Sequence, residues 1–228
     1  TPRPITITAS NQRRGYGDAN PTTGSFLVGG NGLANTDALA PSLTVASSAT
    51  LTSNVGSYGL TPSAAAFAIG SPSDYAITYV DSSLTVSPAV LSYNATAASR
   101  VYGDTNPVFT GVITGFKNGE VLADVVTGTA LFTSTTDVTS NAGQHAINGS
   151  GLSSNGNYTF AQASGNATAL TITPRPLAVT ATSVSRYYGD ANPPAAPVVA
   201  IGLVNGDTVV ASSVTSSATT ASPVGAYV

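Results

Sequence analysis

The chain has 228 residues, of which only 7% are charged against roughly 25% in average soluble domains, and its net charge is -3 at pH 7. So few basic residues exclude the basic surface that binding to nucleic acid or to an anionic membrane requires. The absence of cysteine excludes disulfides and thiol chemistry, and no apolar run is long enough to insert into a bilayer. A hydrophobic content of 42% is sufficient for a packed core.

Each third of the chain opens with apolar residues at every second position, beginning with Ile5, Ile7 and Ala9. Such alternation predicts a strand with one buried face. In the second and third copies we expect Leu91, Tyr93, Leu177 and Val179 to point into cores. Second strands are predicted near 25–28, 108–114 and 197–201.

A motif, Tyr-Gly-Asp-x-Asn-Pro, follows the first predicted strand and recurs at a constant spacing of 86 residues. The motif residues, with an arginine two positions before each tyrosine, are Arg14, Tyr16, Gly17, Asp18, Asn20 and Pro21; Arg100, Tyr102, Gly103, Asp104, Asn106 and Pro107; and Arg186, Tyr188, Gly189, Asp190, Asn192 and Pro193. Internal repetition at a fixed period indicates tandem units. We therefore predict repeat one at 1–86, repeat two at 87–172 and repeat three at 173–228, the third incomplete at its C-terminus.

The remainder of each repeat is also predicted to form short strands. Asn-Gly pairs at 118–119 and 205–206 favour a hairpin or tight turn, because both residues tolerate positive φ. A Thr/Val-rich strand at 130–133, a strand beginning at Gly-x-Tyr (56–58) and closing strands at 75–80 and 84–86 follow. The best helical segment, 63–69, is too short for a stable helix. We predict an all-β chain of tandem small domains, each a sandwich or a grasp-like sheet, arranged as an elongated rod. Prolines at the junctions would stiffen the rod.

The repeated motif has a structural interpretation that accounts for each residue. Glycine supplies a permissive φ, aspartate and asparagine cap turns, and proline ends the loop. The tyrosine would pack its ring in the core, so we expect Tyr16, Tyr102 and Tyr188 to be largely buried, and Tyr102→Ala to cost about 3–5 kcal/mol. An arginine four positions before the aspartate is placed to form an ion pair with it. The alternative is a sugar-binding or ion-binding loop; identical loops in every repeat favour the structural role.

No residue pattern predicts an enzyme, a cofactor site or a metal site. His145 is the only histidine, and it occupies the position held by Tyr58 and Tyr227 in the other repeats, which indicates an aromatic substitute in a strand. Phosphate loops, zinc-ligand spacings and nucleophile elbows are missing from the sequence. Asp18 and Asn20 have the spacing of Ca²⁺ ligands, but ten acidic residues in 228 leave few to converge on one ion.

The ordered set of motifs resembles the MBG domain of the YGX type, which is akin to YDG repeats, over essentially the whole chain. The set comprises, in chain order, Tyr-Gly-Asp-x-Asn-Pro, Gly-[Leu/Phe]-x-Asn-Gly-[Asp/Glu], Val-Gly-x-Tyr, Asn-Tyr-x-[Ile/Phe] and Leu-Thr-[Val/Ile]-x-Pro. The resemblance implies a segment of a large bacterial exoprotein, such as the filamentous-haemagglutinin-like proteins exported by two-partner secretion. It brings no catalytic residues.

We therefore expect a secreted or cell-surface stalk or passenger of a bacterial adhesin, in contact with neighbouring repeats of the same polypeptide. The alternative is that the repeats themselves bind glycans, other cells or the biofilm matrix. No signal peptide precedes Thr1, so any export signal is expected elsewhere in a longer parent protein.

Overall fold

The structure is a computed structural model that describes residues 1–194, 198–209 and 214–228. Strands dominate these residues, as the sequence predicts. Pro197, at the start of one predicted strand, lies outside the described residues. The strands of repeat one are β1 Arg3–Ala9, β2 Gln12–Gly15, β3 Thr23–Gly24, β4 Phe26–Gly30, β5 Ala38–Leu39, β6 Leu43–Ser47, β7 Gly56–Ser63, β8 Phe67–Ile69, β9 Tyr75–Val80 and β10 Ser82–Ser87.

Repeat one forms two main sheets with a shared core. The first has the strand order β4-β1-β9, and the second β2-β10-β7-β6-β3. The alternation of β1 places Ile5 and Ile7 against Leu43, Leu60 and Leu84 of the second sheet. Two sheets packed through alternating apolar faces make a sandwich. The segment 63–69 is not helical: β7 ends at Ser63, and β8 pairs with β5.

Each main sheet of repeat one contains a parallel pair, formed by one strand from the beginning of the repeat and one from its end. In the first sheet β1 pairs with β9, with Ile5 opposite Ile77. In the second sheet β2 pairs with β10, with Arg14 opposite Val86. The short strand β2 immediately precedes the motif and was not predicted.

Repeat two reproduces much of this pattern. Its elements are β11 Ala89–Ala95, β12 Ala98–Val101, β13 Gly111–Thr114, the four-residue helix α1 Leu122–Val125, β14 Val126–Thr133, β15 Gly143–His145, β16 Asn148–Ser154, β17 Tyr158–Gln162 and β18 Leu170–Thr173. Their sheets have the orders β13-β11-β17, β12-β18-β15 and β14-β16. Leu91 and Tyr93 of β11 are buried, as predicted.

Among its described residues, repeat three has one hairpin, β19 Ala178–Ala181 with β20 Val198–Ile201. Here the predicted burial of Leu177 and Val179 is wrong, because these side chains are 46% and 52% exposed. The corresponding strand of repeat one lies between two neighbours and faces a second sheet, whereas β19 has one neighbour in the part of the chain that the structure describes.

The chain forms two compact bodies whose division does not follow the repeats. Body one comprises 1–95, 110–132 and 148–166, and body two comprises 96–109, 133–147 and 167–228. Repeat two therefore contributes to both bodies. The repeat boundaries at 86/87 and 172/173 and the rod arrangement stay predictions. No helix among the described residues has the length and apolar character needed to cross a membrane.

Candidate functional site: the tyrosine–carboxylate joint between consecutive repeats

The arginine of the motif holds its loop closed. Arg14 is buried, and its Nε donates a hydrogen bond to Oδ1 of Asn20 at 2.7 Å, while Nη1 and Nη2 donate to the carbonyls of Gly15 and Thr50. The predicted ion pair between Arg14 and Asp18 is wrong. The guanidinium faces inward and is satisfied by the asparagine and by carbonyls, whereas Asp18 is exposed and directed elsewhere.

The same loop is built in the other two repeats. Arg100 donates to Asn106 at 2.7 Å and to the carbonyl of Asp137, and Arg186 donates to Asn192 at 2.8 Å and to a distant carbonyl. The motif glycines Gly17, Gly103 and Gly189 have φ of +79°, +87° and +90°. This left-handed conformation is the permissive φ that the sequence predicts. Pro21, Pro107 and Pro193 follow the asparagines at the ends of the loops.

The tyrosine of the first motif points into the next repeat. Tyr16 is 2% exposed, and its hydroxyl donates to Oε1 of Glu120 at 2.6 Å. The hydroxyl of Tyr158 donates to the other oxygen, Oε2, of the same carboxylate. The rings of Tyr16 and Tyr158 meet edge to face, with centroids 5.4 Å apart. Because hydrogen bonds to a charged acceptor are stronger than neutral ones, this pair of tyrosines on one carboxylate fixes repeat one to repeat two.

Further polar contacts surround these tyrosines, and together they form joint one. Nζ of Lys117 lies 2.8 Å from Oδ1 of Asp18. The amide of Asn157 donates to Asn54 at 2.9 Å and accepts from the backbone N–H of Val55 at 3.0 Å. All residues of joint one belong to body one.

Joint two, between repeats two and three, lies within body two and repeats this arrangement. The hydroxyl of Tyr102 donates to Oδ1 of Asp207 at 3.3 Å. Asp104, which corresponds to Asp18, forms an ion pair with Arg175, whose Nε also donates to the carbonyl of Tyr102 at 2.7 Å. The amide of Asn205 donates to the carbonyl of Val138 at 2.9 Å. Asn118 makes the equivalent bond to a carbonyl of repeat one in joint one.

A turn with a left-handed asparagine presents the acceptor carboxylate. Asn35, Asn118 and Asn205 have φ of 53°, 54° and 54°, in agreement with the predicted turn at the Asn-Gly pairs. Two residues later stand Asp37, Glu120 and Asp207. In repeat one Asp37 accepts a hydrogen bond from Tyr75 at 2.6 Å, just as Glu120 accepts one from Tyr158 of its own repeat. The acid of the turn is therefore a tyrosine acceptor in every repeat.

Neighbouring carboxylates change the pKa of these tyrosines. Burial, and then the hydrogen bond to Glu120, raise the pKa of Tyr158 to about 12. The hydrogen bond to Glu120 is the main cause that raises the pKa of Tyr16, and the bond to Asp37 does the same for the pKa of Tyr75. Lys117 lowers the pKa of Asp18. At neutral pH these tyrosines are therefore hydrogen-bond donors and Asp18 is charged.

The predicted burial of the three motif tyrosines holds only for Tyr16. Tyr102 is half-buried, and Tyr188 is 68% exposed. The ring of Tyr16 packs in a cluster with residues of repeat two, among them Leu91, Val125 and Tyr158.

His145 provides both the ring and the hydrogen bond that a tyrosine provides at this position in the other repeats. Its Nε2 lies 2.9 Å from the carbonyl of Asn141, four residues earlier. Tyr58 and Tyr227 donate from their hydroxyls to the carbonyls four residues before them, at 2.7 and 2.8 Å. No group of three or more His, Cys, Asp or Glu side chains that could hold a metal ion occurs among the described residues.

A family model now accounts for the repeats. The model of the MBG domain (YGX type) matches residues 5–85, 91–168 and 177–228. The chain belongs to the MBG domain family. MBG repeats are typical of large bacterial surface proteins and usually occur in extracellular proteins. No curated protein and no solved structure matches the chain.

Sequence reasoning identified the MBG motif residues but not their partners. Glu120 lies 104 positions after Tyr16, and no local pattern links them. One signal was available: an acid recurs two residues after the turn asparagine in all three MBG repeats, in a chain that has only ten acidic residues.

Proposed function

We propose that this segment is a stalk or passenger of a secreted bacterial surface adhesin, in which the tyrosine–carboxylate joints hold consecutive MBG repeats at a fixed orientation. Its direct partners are the neighbouring repeats of the same polypeptide, and it performs no catalysis. The proposal places the chain outside the cell or on its surface, as is usual for repeats of this family.

The recurrence of the joint carries this proposal. The motif tyrosine of one repeat donates to the turn carboxylate of the next in both joints, and the motif aspartate pairs with a cation in both. A binding or catalytic site needs to occur only once, whereas a linear array requires the same contact at every junction. Four of the chain's ten acidic residues take part in these contacts, in a protein with little charge to place.

Buried polar contacts suit a joint that must resist bending. A purely apolar contact is non-directional, so two surfaces can slide over one another at little cost. A hydrogen bond weakens steeply away from its preferred geometry, and the half-buried Glu120 accepts its two hydrogen bonds from tyrosines that are themselves buried. Glu120, with one tyrosine hydroxyl on each oxygen, therefore restrains both distance and angle.

Small-angle X-ray scattering of the 228-residue chain tests the stalk. A compact globule of this length has a radius of gyration of about 17 Å. We expect a clearly larger radius and a skewed distance distribution, which Tyr16→Phe should broaden, since it leaves the ring and removes the hydroxyl. A radius of gyration near that of a compact globule would refute the stalk.

A second function, direct glycan binding, is favoured by the exposure of Tyr187 and Tyr188, since aromatic faces in a Ser/Thr-rich surface are suited to stacking on sugars. A glycan array probed with the whole chain, and with Tyr187→Ala as the matched variant, tests it. Saturable binding that the variant loses would support a binding module; binding to host-cell or biofilm polysaccharide would then identify the partner.

A further inference from the structure

We infer that the motif glycine is a specificity-determining residue of each joint. Because it has no side chain, it leaves a space, here called the glycine socket, that admits a side chain from the turn of the following repeat. That side chain stands directly before the turn asparagine and is Lys117 in joint one and Val204 in joint two. The inference rests on the proposed joints and deepens them, since it names the surface that each motif recognises: the asparagine turn of the next MBG repeat.

Distances show how closely the next repeat fills the socket. A Cβ atom on Gly17 would lie 2.5 Å from Cβ and 2.8 Å from Cγ of Lys117. A Cβ atom on Gly103 would lie 2.5 Å from Cγ2 of Val204 and 3.3 Å from Nε of Arg175. Separations below 3.0 Å require neighbouring atoms to move. The atoms met are the stem of Lys117 and the branched, conformationally stiff Val204, so a side chain at the glycine would displace the turn itself.

The third motif separates this contact from the requirement of the backbone. Gly189 has φ of +90°, close to +79° at Gly17 and +87° at Gly103. Its loop is closed in the same way, by the hydrogen bond from Arg186 to Asn192. Yet a Cβ atom on Gly189 would meet no atom within 4 Å in the part of the chain that the structure describes. The left-handed φ thus belongs to the loop, whereas the socket is a separate requirement that a docked repeat adds.

The residues of the motif serve different repeats. The arginine and the asparagine bind their own loop, whereas the three consecutive residues Tyr-Gly-Asp contact the next repeat. In joint one Tyr16 donates to Glu120. Gly17 lies against the stem of Lys117, whose Nζ pairs with Asp18. Joint two has the same contacts from its motif tyrosine and glycine to the turn. The glycine therefore lies at the centre of a three-residue segment that recognises the turn.

The socket selects by shape and not by charge, because it admits a lysine in one joint and a valine in the other. The positive charge for the motif aspartate comes from either of two positions, the socket residue or the third residue of the repeat. Every repeat carries one cation and one apolar residue at these two positions: Arg3 with Ala34, Ala89 with Lys117, and Arg175 with Val204. A turn that fits the motif therefore needs a side chain that the socket admits, and one cation at either position.

Gly17→Asn tests the inference in the intact 228-residue chain, because asparagine tolerates a left-handed φ and fills the socket. The readout is hydrogen exchange at the backbone amide of Val55, which donates across joint one to Asn157. We expect exchange at least about tenfold faster than in the native chain, since the turn must move away from the motif. Gly189→Asn, the matched control for the backbone, should leave this rate within about twofold.

Shortening the side chain that enters the socket should restore the joint. Lys117→Gly removes the Cβ atom that a side chain at position 17 would meet. Gly17→Asn combined with Lys117→Gly should therefore exchange at least about threefold more slowly than Gly17→Asn alone. Lys117→Ala removes the same charge but keeps the Cβ atom, so it should restore nothing. The two double variants thus differ in the space at the socket and not in charge.

Two results would overturn the inference. A role of the glycine in the backbone alone predicts equal rates for the single variant and both double variants. A native rate in Gly17→Asn would mean that the socket has room for a side chain. If Gly17→Asn unfolds repeat one, Gly103→Asn with and without Val204→Gly gives the same test in joint two, read from the side-chain amide of Asn205. Failure of the stalk itself is a separate result, namely a compact scattering profile of the native chain.

Discussion

Joint one and joint two use the same motif with different numbers of partners. In joint one Tyr16 is fully buried and shares Glu120 with Tyr158. In joint two Tyr102 is half-buried and donates to Asp207 at 3.3 Å, without a second tyrosine among the described residues. The carboxylate is thus a shared acceptor: one hydroxyl from its own repeat orients it, and the other comes from the preceding repeat. Glu120 is therefore held from both repeats, whereas Asp207 has one tyrosine donor among the described residues.

The two joints also differ in which residue supplies the positive charge for the motif aspartate. Asp18 is paired by Lys117 from the turn, whereas Asp104 is paired by Arg175 from the segment that connects repeats two and three. Val204 takes the position of Lys117 beside the motif glycine in joint two. The positive charge has changed its location in the sequence while the ion pair at the motif aspartate is kept.

Truncation of the two motif tyrosines should give the largest difference between the joints. Tyr16→Ala removes a buried ring and should lower the free energy of unfolding of body one by about 3–5 kcal/mol. Tyr102→Ala should cost about 1–2 kcal/mol, less than its sequence predicts, because the ring is half-buried. Native-state hydrogen exchange on β10 and β18 measures each loss separately. Equal losses would contradict the role of burial.

Neutralising the carboxylate of Glu120, which Tyr16 and Tyr158 share, should have the next largest effect on the free energy of unfolding. Glu120→Gln keeps the size of the side chain but replaces a carboxylate that accepts two hydroxyl hydrogen bonds. We expect a loss of about 1.5–3 kcal/mol in body one. Asp207→Asn, the matched change in joint two, should cost about 1 kcal/mol or less, since one longer hydrogen bond is affected. Urea unfolding curves of the two variants provide the comparison.

High pH should weaken joint one in a defined range. The pKa of Tyr158 is raised to about 12 from an ordinary value of 10.0, so the folded state favours the protonated tyrosine. Its contribution to stability is complete below pH 10 and is lost as the pH rises from 10 through about 12. Tyr16 acts in the same direction. Thermal unfolding followed across this range should show a steeper decline for the native chain than for Tyr158→Phe; parallel declines would disprove the linkage.

The exposed ion pairs should contribute least. Lys117→Ala and Arg175→Ala each remove one cation, but the side chains of both motif aspartates are about half exposed, so solvent screens the pairs. We expect Lys117→Ala to lower the free energy of unfolding only slightly, and by less as salt is added. Arg175→Ala should be the costlier change, because it also removes a hydrogen bond to the carbonyl of Tyr102. A reversal of this order would show that the carbonyl contact is unimportant.

Local sequence patterns predicted much of the strand structure. The alternation of Ile5 and Ile7 and the Asn-Gly pair at 118–119 each determine backbone geometry over a few residues, and the structure agrees with both. Strand β2, Gln12–Gly15, could not be predicted in the same way, since it is short and polar and exists because β10 pairs with it. The tyrosine acceptors were missed for a similar reason: their contacts join residues about one hundred positions apart.

The parallel pairing of β1 with β9 determines when the first sheet of an MBG repeat can be completed. Arg3 is opposite Tyr75, so the first strand of repeat one acquires this neighbour only after some seventy further residues have been delivered. Parallel ladders of this sequence separation fold slowly, because a long loop must close before its contacts form. A chain that emerges one end first, from a ribosome or a narrow pore, therefore cannot complete either main sheet of a repeat until its closing strands arrive. Joint one then adds a second delay, because Tyr16 finds its acceptor only after Glu120 has emerged as well.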